Sequence, residues 1–169
     1  WIKPDNQMVF PGDFIPIAEK NGRINILGEQ MFEKTCQFIQ SHDIAAMGLS
    51  WINVNLSPIQ LLRHDLCSRF IDILKKYDTP AEKIHLEITE ESMIDYDLLY
   101  RQMELMRKAG FLFVLDDYGR GYSNVARMRR CPFINIKLDM EFVWDYFNSK
   151  DKLLPTITQT IKEMGFTVT

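Results

Sequence analysis

Four short apolar segments, each ending in polar side chains, constrain the fold of this 169-residue chain more than any other feature. They run from Ser50 to Asn55, from Ile84 to Thr89, from Phe111 to Asp117 and from Phe133 to Asp139, and Gly165 to Thr169 begins a fifth. Segments with the spacing of amphipathic helices lie around them, at Leu27 to Ile39, Leu62 to Tyr77 and Leu98 to Met106. This alternation predicts parallel strands joined by crossover helices.

Two α/β architectures fit that alternation, a doubly wound sheet and a TIM-like (β/α) barrel. Barrel enzymes assemble their sites at the C-terminal ends of the strands. Polar groups at those ends therefore favour the barrel, and they are Asn55, Glu87, Asp116, Asp117 and Lys137. Because a complete barrel has eight strands in about 250 residues, we expect residues 1–169 to form a single domain of about five strands, truncated at both ends.

Composition excludes several classes of protein. A hydrophobic fraction of 46% with 25% charged residues is that of a globular domain, and no apolar run is long enough to span a membrane. A net charge of −3 gives no general attraction for a nucleic acid polymer. Three scattered cysteines, Cys36, Cys67 and Cys131, form neither a disulfide framework nor a zinc motif, which fits a cytoplasmic protein.

Adjacent carboxylates at a predicted strand end are the strongest chemical signal. Asp116 and Asp117 repel each other, and a divalent cation relieves that repulsion; their hard oxygen ligands suit Mg²⁺ or Mn²⁺. The alternative is a loop in which an aspartate caps a helix. Glu87 shares one face of its strand with Thr89, so it either faces the same site or is satisfied by backbone donors.

Amide and ammonium groups extend this set. Asn53 and Asn55 carry amide oxygens that suit a neutral ligand position. Lys137 either meets an anionic phosphate and an attacking water or pairs with Asp139. The three histidines are scattered, which excludes a histidine-rich metal site and a Ser-His-Asp triad.

Five motifs together resemble the EAL family of cyclic-di-GMP phosphodiesterases, in order and over nearly the whole chain. They are Phe14-Ile15-Pro16-Ile17-Ala18-Glu19, Val54-Asn55-Leu56-Ser57-Pro58, Glu87-Ile88-Thr89-Glu90, the run from Asp116 to Ser123, and Ile136-Lys137-Leu138-Asp139. The resemblance implies hydrolysis of cyclic-di-GMP to pGpG with two Mg²⁺ or Mn²⁺ ions. It also implies a homodimer, and a sensor or diguanylate cyclase domain as a possible neighbour in a longer chain.

The resemblance also assigns roles to residues. Asn55, Glu87 and Asp116 would hold metal, Asp117 would serve the second metal and its water, and Lys137 would orient that water. Glu90 would brace the loop from Asp117 to Ser123. Further catalytic carboxylates of the family would lie before Trp1 and after Thr169, so we expect the 169-residue chain alone to be inactive or nearly so.

One departure from the family pattern changes the charge of that loop. Arg120 stands where the family usually has Thr, which bears on loop regulation more than on metal binding. Arg120, Arg127, Arg129 and Arg130 form a basic stretch that is either a solvated face or part of a dimer interface. Two non-enzymatic functions stay open at this point, a cyclic-di-GMP receptor that does not hydrolyse it and a protein-interaction scaffold.

Overall fold

A single parallel sheet runs through the computed structural model of the chain, which describes residues 1–90, 96–119, 128–149 and 152–169. The five strands within these residues pair in their order along the chain. They are β1 (Ile52–Asn55), β2 (Ile84–Thr89), β3 (Leu112–Tyr118), β4 (Phe133–Leu138) and β5 (Thr167–Val168). Sequential parallel order is that of a barrel, because a doubly wound sheet reverses direction at a switch point. The predicted barrel architecture and strand positions are thus confirmed.

Helices connect and cover the strands. They are α1 (Pro11–Lys20), α2 (Ile24–Ser41), α3 (Pro58–Leu61), α4 (Leu66–Lys76), α5 (Tyr96–Lys108), α6 (Met140–Ser149) and α7 (Leu153–Glu163). None of the helices in the described ranges combines the length and hydropathy of a membrane span.

The prediction of one continuous helix from Leu62 to Tyr77 is wrong. The chain forms α3, which ends at Leu61, and begins α4 at Leu66. Ser57 begins α3 as a capping residue, because its Oγ accepts the Ile59 N–H, and Pro58 follows at the first helical position. Apolar spacing continues across the interruption and therefore did not reveal it.

The helix before β3 ends as the sequence predicts. After α5, Gly110 has a φ of 98°, which a glycine adopts without strain. The Phe111 N–H donates to the Met106 carbonyl, and the Gly110 N–H donates to the Arg107 carbonyl. These are the two hydrogen bonds of a Schellman motif, and they turn the chain directly into β3.

The hydrophobic core lies between the outer face of the sheet and the helices. Ile84, Leu86 and Ile88 of β2 are fully buried there. Phe32 of α2 stacks on Phe70 of α4 with ring centroids 3.9 Å apart. This core covers one face of each strand, so the polar residues that alternate with it are on the opposite, inner face.

His85 lies on that inner face, two residues before Glu87 in β2. It is buried, and its ring stacks on Trp51 with centroids 4.6 Å apart. Burial disfavours the charged imidazolium and lowers the pKa of His85 below its ordinary value of about 6.5. The unfolded chain therefore binds this proton more readily than the folded one.

We expect acid to weaken the fold through His85. The free energy of unfolding should fall as the pH drops below about 6.5, because protonation favours the unfolded chain. His85→Phe, which preserves the stack on Trp51, should remove this part of the loss, whereas His64→Phe at an exposed position should not. Urea unfolding between pH 5 and 8 measures it, and identical pH profiles for wild type and His85→Phe would contradict it.

Candidate functional site

Strand register brings the predicted site residues to one end of the sheet. Asn55, the last residue of β1, is paired with Glu87 of β2. Thr89, two residues further along the same face of β2, is paired with Asp116 of β3. Lys137 lies in β4, next to β3. Four neighbouring strands thus contribute polar side chains to one carboxyl edge, as the sequence predicted.

Lys137 joins the two carboxylates of this edge. Its Nζ lies 2.8 Å from Glu87 Oε1 and 3.0 Å from Asp116 Oδ1. The Asn53 amide also donates to Glu87 Oε1, at 2.6 Å. The hydrogen-bond donors to Glu87 in the described part of the chain are therefore side chains, whereas the alternative interpretation expected backbone donors. We call Glu87, Asp116 and Lys137 the carboxylate cluster.

Burial sets the electrostatics of the carboxylate cluster. The Glu87 side chain retains 6% of its exposure and that of Lys137 retains 31%, so charges here interact more strongly than they would at an open surface. Burial lowers the pKa of Lys137, but hydrogen bonds to Glu87 and Asp116 outweigh it and hold the net pKa above the ordinary value. Lys137 is consequently an ammonium at neutral pH, a hydrogen-bond donor and not a base.

A β-bulge places the two aspartates. Leu115 pairs with Ile136 and Tyr118 with Leu138, so β3 has one residue more than β4 over this interval. Asp117 has a φ of 55°, in the left-handed region. In a regular strand two successive side chains point to opposite faces, and a bulge removes that constraint. The Asp-Asp pair is visible in the sequence, but no local pattern there indicates the bulge.

The chain after the bulge is held by Glu90. The Gly119 N–H donates to Glu90 Oε2 at 3.0 Å, and the bracing role that the resemblance implies for Glu90 would depend on this hydrogen bond. Arg120, Arg127 and the loop residues up to Ser123 lie outside the described residues, and so does any effect of Arg120. Arg129 and Arg130, which follow, are exposed.

A cavity of about 560 Å³ opens next to the carboxylate cluster, between α1, α2 and β1. The polar wall of the cavity is formed by Asn53, Asn55, Glu87, Thr89, Glu19 and Ser57. Its apolar side comes from α1 and α2. Ser57 Oγ donates to Glu19 Oε1 at 2.8 Å, so α1 is joined to the end of β1. Glu19 belongs to the first of the five motifs, but nothing in the sequence indicates this contact.

The predicted metal ligands are partly brought together. Among residues 1–90, 96–119, 128–149 and 152–169, no group of three or more His, Cys, Asp and Glu side chains is arranged to hold a metal ion. Glu87 and Asp116 nevertheless converge on one positive charge, the Lys137 ammonium. Asn55 lines the adjacent cavity. Asn53, whose amide oxygen the sequence offers as a ligand, donates its amide N–H to Glu87.

Sequentially ordered parallel strands with an acidic, lysine-containing carboxyl edge define a protein of the TIM-like barrel class. Comparison with known proteins specifies the family. A family model for the EAL domain matches residues 1–169, and the chain belongs to the EAL domain family. Its relatives include proteins named as cyclic di-GMP phosphodiesterases.

One such relative is the cyclic di-GMP phosphodiesterase NbdA of Pseudomonas aeruginosa, 30% identical over 146 residues that cover 86% of this chain and 19% of NbdA. The chain spans about a fifth of the length of the curated relatives it matches.

Two solved structures show the same fold. The PaMucR phosphodiesterase in complex with c-di-GMP is 25% identical, with a TM-score of 0.83 over 99% of this chain and 69% of that one. The FimX EAL domain of Pseudomonas aeruginosa bound to c-di-GMP is 18% identical, with a TM-score of 0.87 over 99% and 67%.

Proposed function

We propose that this chain provides catalytic residues for the metal-dependent hydrolysis of cyclic-di-GMP to pGpG. The observation that carries the proposal is the convergence of Glu87 and Asp116, from neighbouring strands, on a single cation position at the carboxyl edge of the sheet. Family membership supports it, because EAL relatives such as NbdA are named as cyclic di-GMP phosphodiesterases. The activity is proposed for the natural full-length protein.

The donor set fits a hard divalent cation. Lys137 Nζ lies within hydrogen-bond distance of Glu87 and Asp116, so both carboxylates already contact one positive charge. Carboxylate and amide oxygens are the ligands that Mg²⁺ and Mn²⁺ prefer. We propose that Asn55, Glu87, Asp116 and Asp117 would hold two such ions. The ions would lower the pKa of a water and neutralise negative charge on a phosphate.

The reaction adds water to one phosphodiester of the cyclic dinucleotide. The water oxygen forms a bond to phosphorus, the bond from phosphorus to the 3′ oxygen breaks, and a proton passes to that oxygen to give linear pGpG. We propose that Asp117 accepts a hydrogen bond from the attacking water. Lys137, held as an ammonium, donates to the water or to a phosphate oxygen and fixes their approach.

Two hydrogen bonds from neighbouring residues support these positions. Asn53 fixes the orientation of Glu87 by donating to Oε1. Glu90 fixes the backbone immediately after the bulge by accepting the Gly119 N–H. Reacting groups lose rate steeply when they are misplaced by about 1 Å, so both contacts matter for turnover.

An exposed apolar face of α6 bears on the partners of this protein. Met140, Trp144 and Phe147 recur on one face of α6 and are 68%, 58% and 62% exposed, which supports a homodimer formed near this helix. We propose a cytoplasmic protein. A neighbouring sensor or diguanylate cyclase domain is also proposed, by analogy with the relative named as the bifunctional diguanylate cyclase/cyclic di-GMP phosphodiesterase MucR.

The test is turnover of cyclic-di-GMP by the natural full-length protein with Mg²⁺ or Mn²⁺, with the product separated by chromatography. We expect pGpG to form and its formation to stop when a chelator removes the metal. Tight, metal-independent binding of cyclic-di-GMP without any product would instead make the protein a receptor. If it neither hydrolyses nor binds the dinucleotide, only the scaffold function would stand.

A further inference from the structure

The backbone just after the bulge is held by residues from three separate elements. Gly119 N–H donates to Glu90, which follows β2. The Tyr118 carbonyl accepts the Asp139 N–H at 2.9 Å, from the residue between β4 and α6. The third contact comes from α6 itself and involves Phe142. Two of these contacts are polar, and the third is an apolar contact that the proposed chemistry does not use.

Phe142 lies directly against the bare Cα of Gly119. A Cβ on Gly119 would stand 3.0 Å from Phe142 Cγ and 3.2 Å from its Cβ and Cδ1. Gly119 also has a φ of 111°, which side-chain-bearing residues rarely adopt. The half-buried Phe142 ring therefore occupies the volume that any other residue at position 119 would need, and it fixes how far the backbone can move toward α6.

The first turn of α6 is itself fixed by the end of β4. Asp139 is buried, and its Oδ1 accepts the Glu141 N–H at 2.8 Å, while its carbonyl accepts the Val143 N–H at 3.1 Å. These hydrogen bonds satisfy donors at the helix start and orient its first turn. Phe142 thus projects from a rigid position, one residue after the capped Glu141 N–H.

We propose that Phe142 is a positioning residue for the aspartate pair, acting through Gly119. Asp117 and Gly119 both have positive φ, so small rotations here move the carboxylates that immediately precede Tyr118. The ring limits those rotations. This inference rests on the proposed function in so far as it concerns turnover, whereas the restraint on the backbone stands independently of it.

The test compares Phe142→Ala and Phe142→Leu with Phe38→Ala in the natural full-length protein. Phe38 is a half-buried phenylalanine of a different helix, α2, where it stacks on His42, so it is the matched control. Hydrogen exchange of the peptide that contains Leu115 to Gly119 measures the restraint, and kcat and KM for cyclic-di-GMP measure its effect on turnover.

We expect faster exchange in Phe142→Ala and a kcat lower by about tenfold to hundredfold, with KM changed by less than about twofold. Phe142→Leu should be intermediate, and Phe38→Ala should match wild type. Unchanged exchange in Phe142→Ala, or an equal loss in Phe38→Ala, would overturn the inference.

Two further outcomes separate this inference from the proposed function. If the wild type does not hydrolyse cyclic-di-GMP, the proposed function fails and exchange alone decides the restraint by Phe142. If Phe142→Ala does not fold, Phe142→Leu decides: slower turnover at an unchanged melting temperature supports the inference, and wild-type turnover with wild-type exchange overturns it.

Discussion

Asp116→Asn should reduce the hydrolysis of cyclic-di-GMP by the full-length protein about 100-fold or more while leaving it folded. The change removes one negative charge and keeps the shape of the side chain. A neutral amide oxygen binds a divalent cation more weakly than a carboxylate does. Lys137 still has Glu87 as a partner at 2.8 Å, so the cluster retains an ion pair.

The control for this substitution is Asp72→Asn, the same chemical change at an exposed position of α4. We expect it to leave kcat and KM at wild-type values. The measurement is product formation at saturating Mg²⁺ or Mn²⁺, with circular dichroism to verify folding. If Asp116→Asn kept a third or more of wild-type turnover, Asp116 would not be a metal ligand.

Lys137→Met should affect both activity and stability. We expect kcat/KM to fall about 100-fold, because the ammonium that orients the reacting groups is lost. Without added metal, the free energy of unfolding should also fall by about 1 to 3 kcal/mol, because Glu87 and Asp116 lose their shared positive partner. The lower part of that range is expected, since Lys137 is about one third exposed.

A double variant separates the electrostatic cause from lost packing. In the Lys137→Met background, Asp116→Asn removes one of two like charges and should restore part of the lost stability. Lys75→Met on the exposed face of α4 is the matched control and should be neutral. Urea unfolding of wild type, Lys137→Met, Asp116→Asn and the double variant gives the coupling energy. Additive effects of the two substitutions would contradict an ion-pair interaction at this site.

Stability from this ion pair should not vary across the neutral pH range. The pKa of Lys137 is raised in the folded protein, so its contribution is fully present below the unfolded value of about 10.4 and disappears only as the pH rises through the higher folded value. The acid sensitivity expected below about pH 6.5 should therefore come from His85 and not from Lys137.

The barrel edge was predictable because its determinants are local. Each strand has an apolar outer face, and the polar residue that ends it, such as Asn55 or Asp116, is visible in the sequence alone. Parallel strands joined by helices must bring those ends to one edge. Glu87 and Lys137 could therefore be assigned to one site without knowledge of any contact between them.

Other features depend on tertiary contacts that no local pattern encodes. The hydrogen bond from Asn53 to Glu87 depends on the register of β1 on β2. Helix α1 was not predicted, and it contains Pro16, a residue that normally ends a helix. The contact of Phe142 with Gly119 joins residues from two elements, and a glycine after two aspartates is equally consistent with an ordinary turn.

Lys137 gives the mouth of the barrel a counter-ion of its own. The strands can therefore assemble around Glu87 and Asp116 before any ion from solution arrives, because the repulsion between the two carboxylates is already offset. A divalent ion held by these carboxylates, as proposed above, would replace one positive partner by another. Glu87 and Asp116 would then have a positive partner with or without the ion.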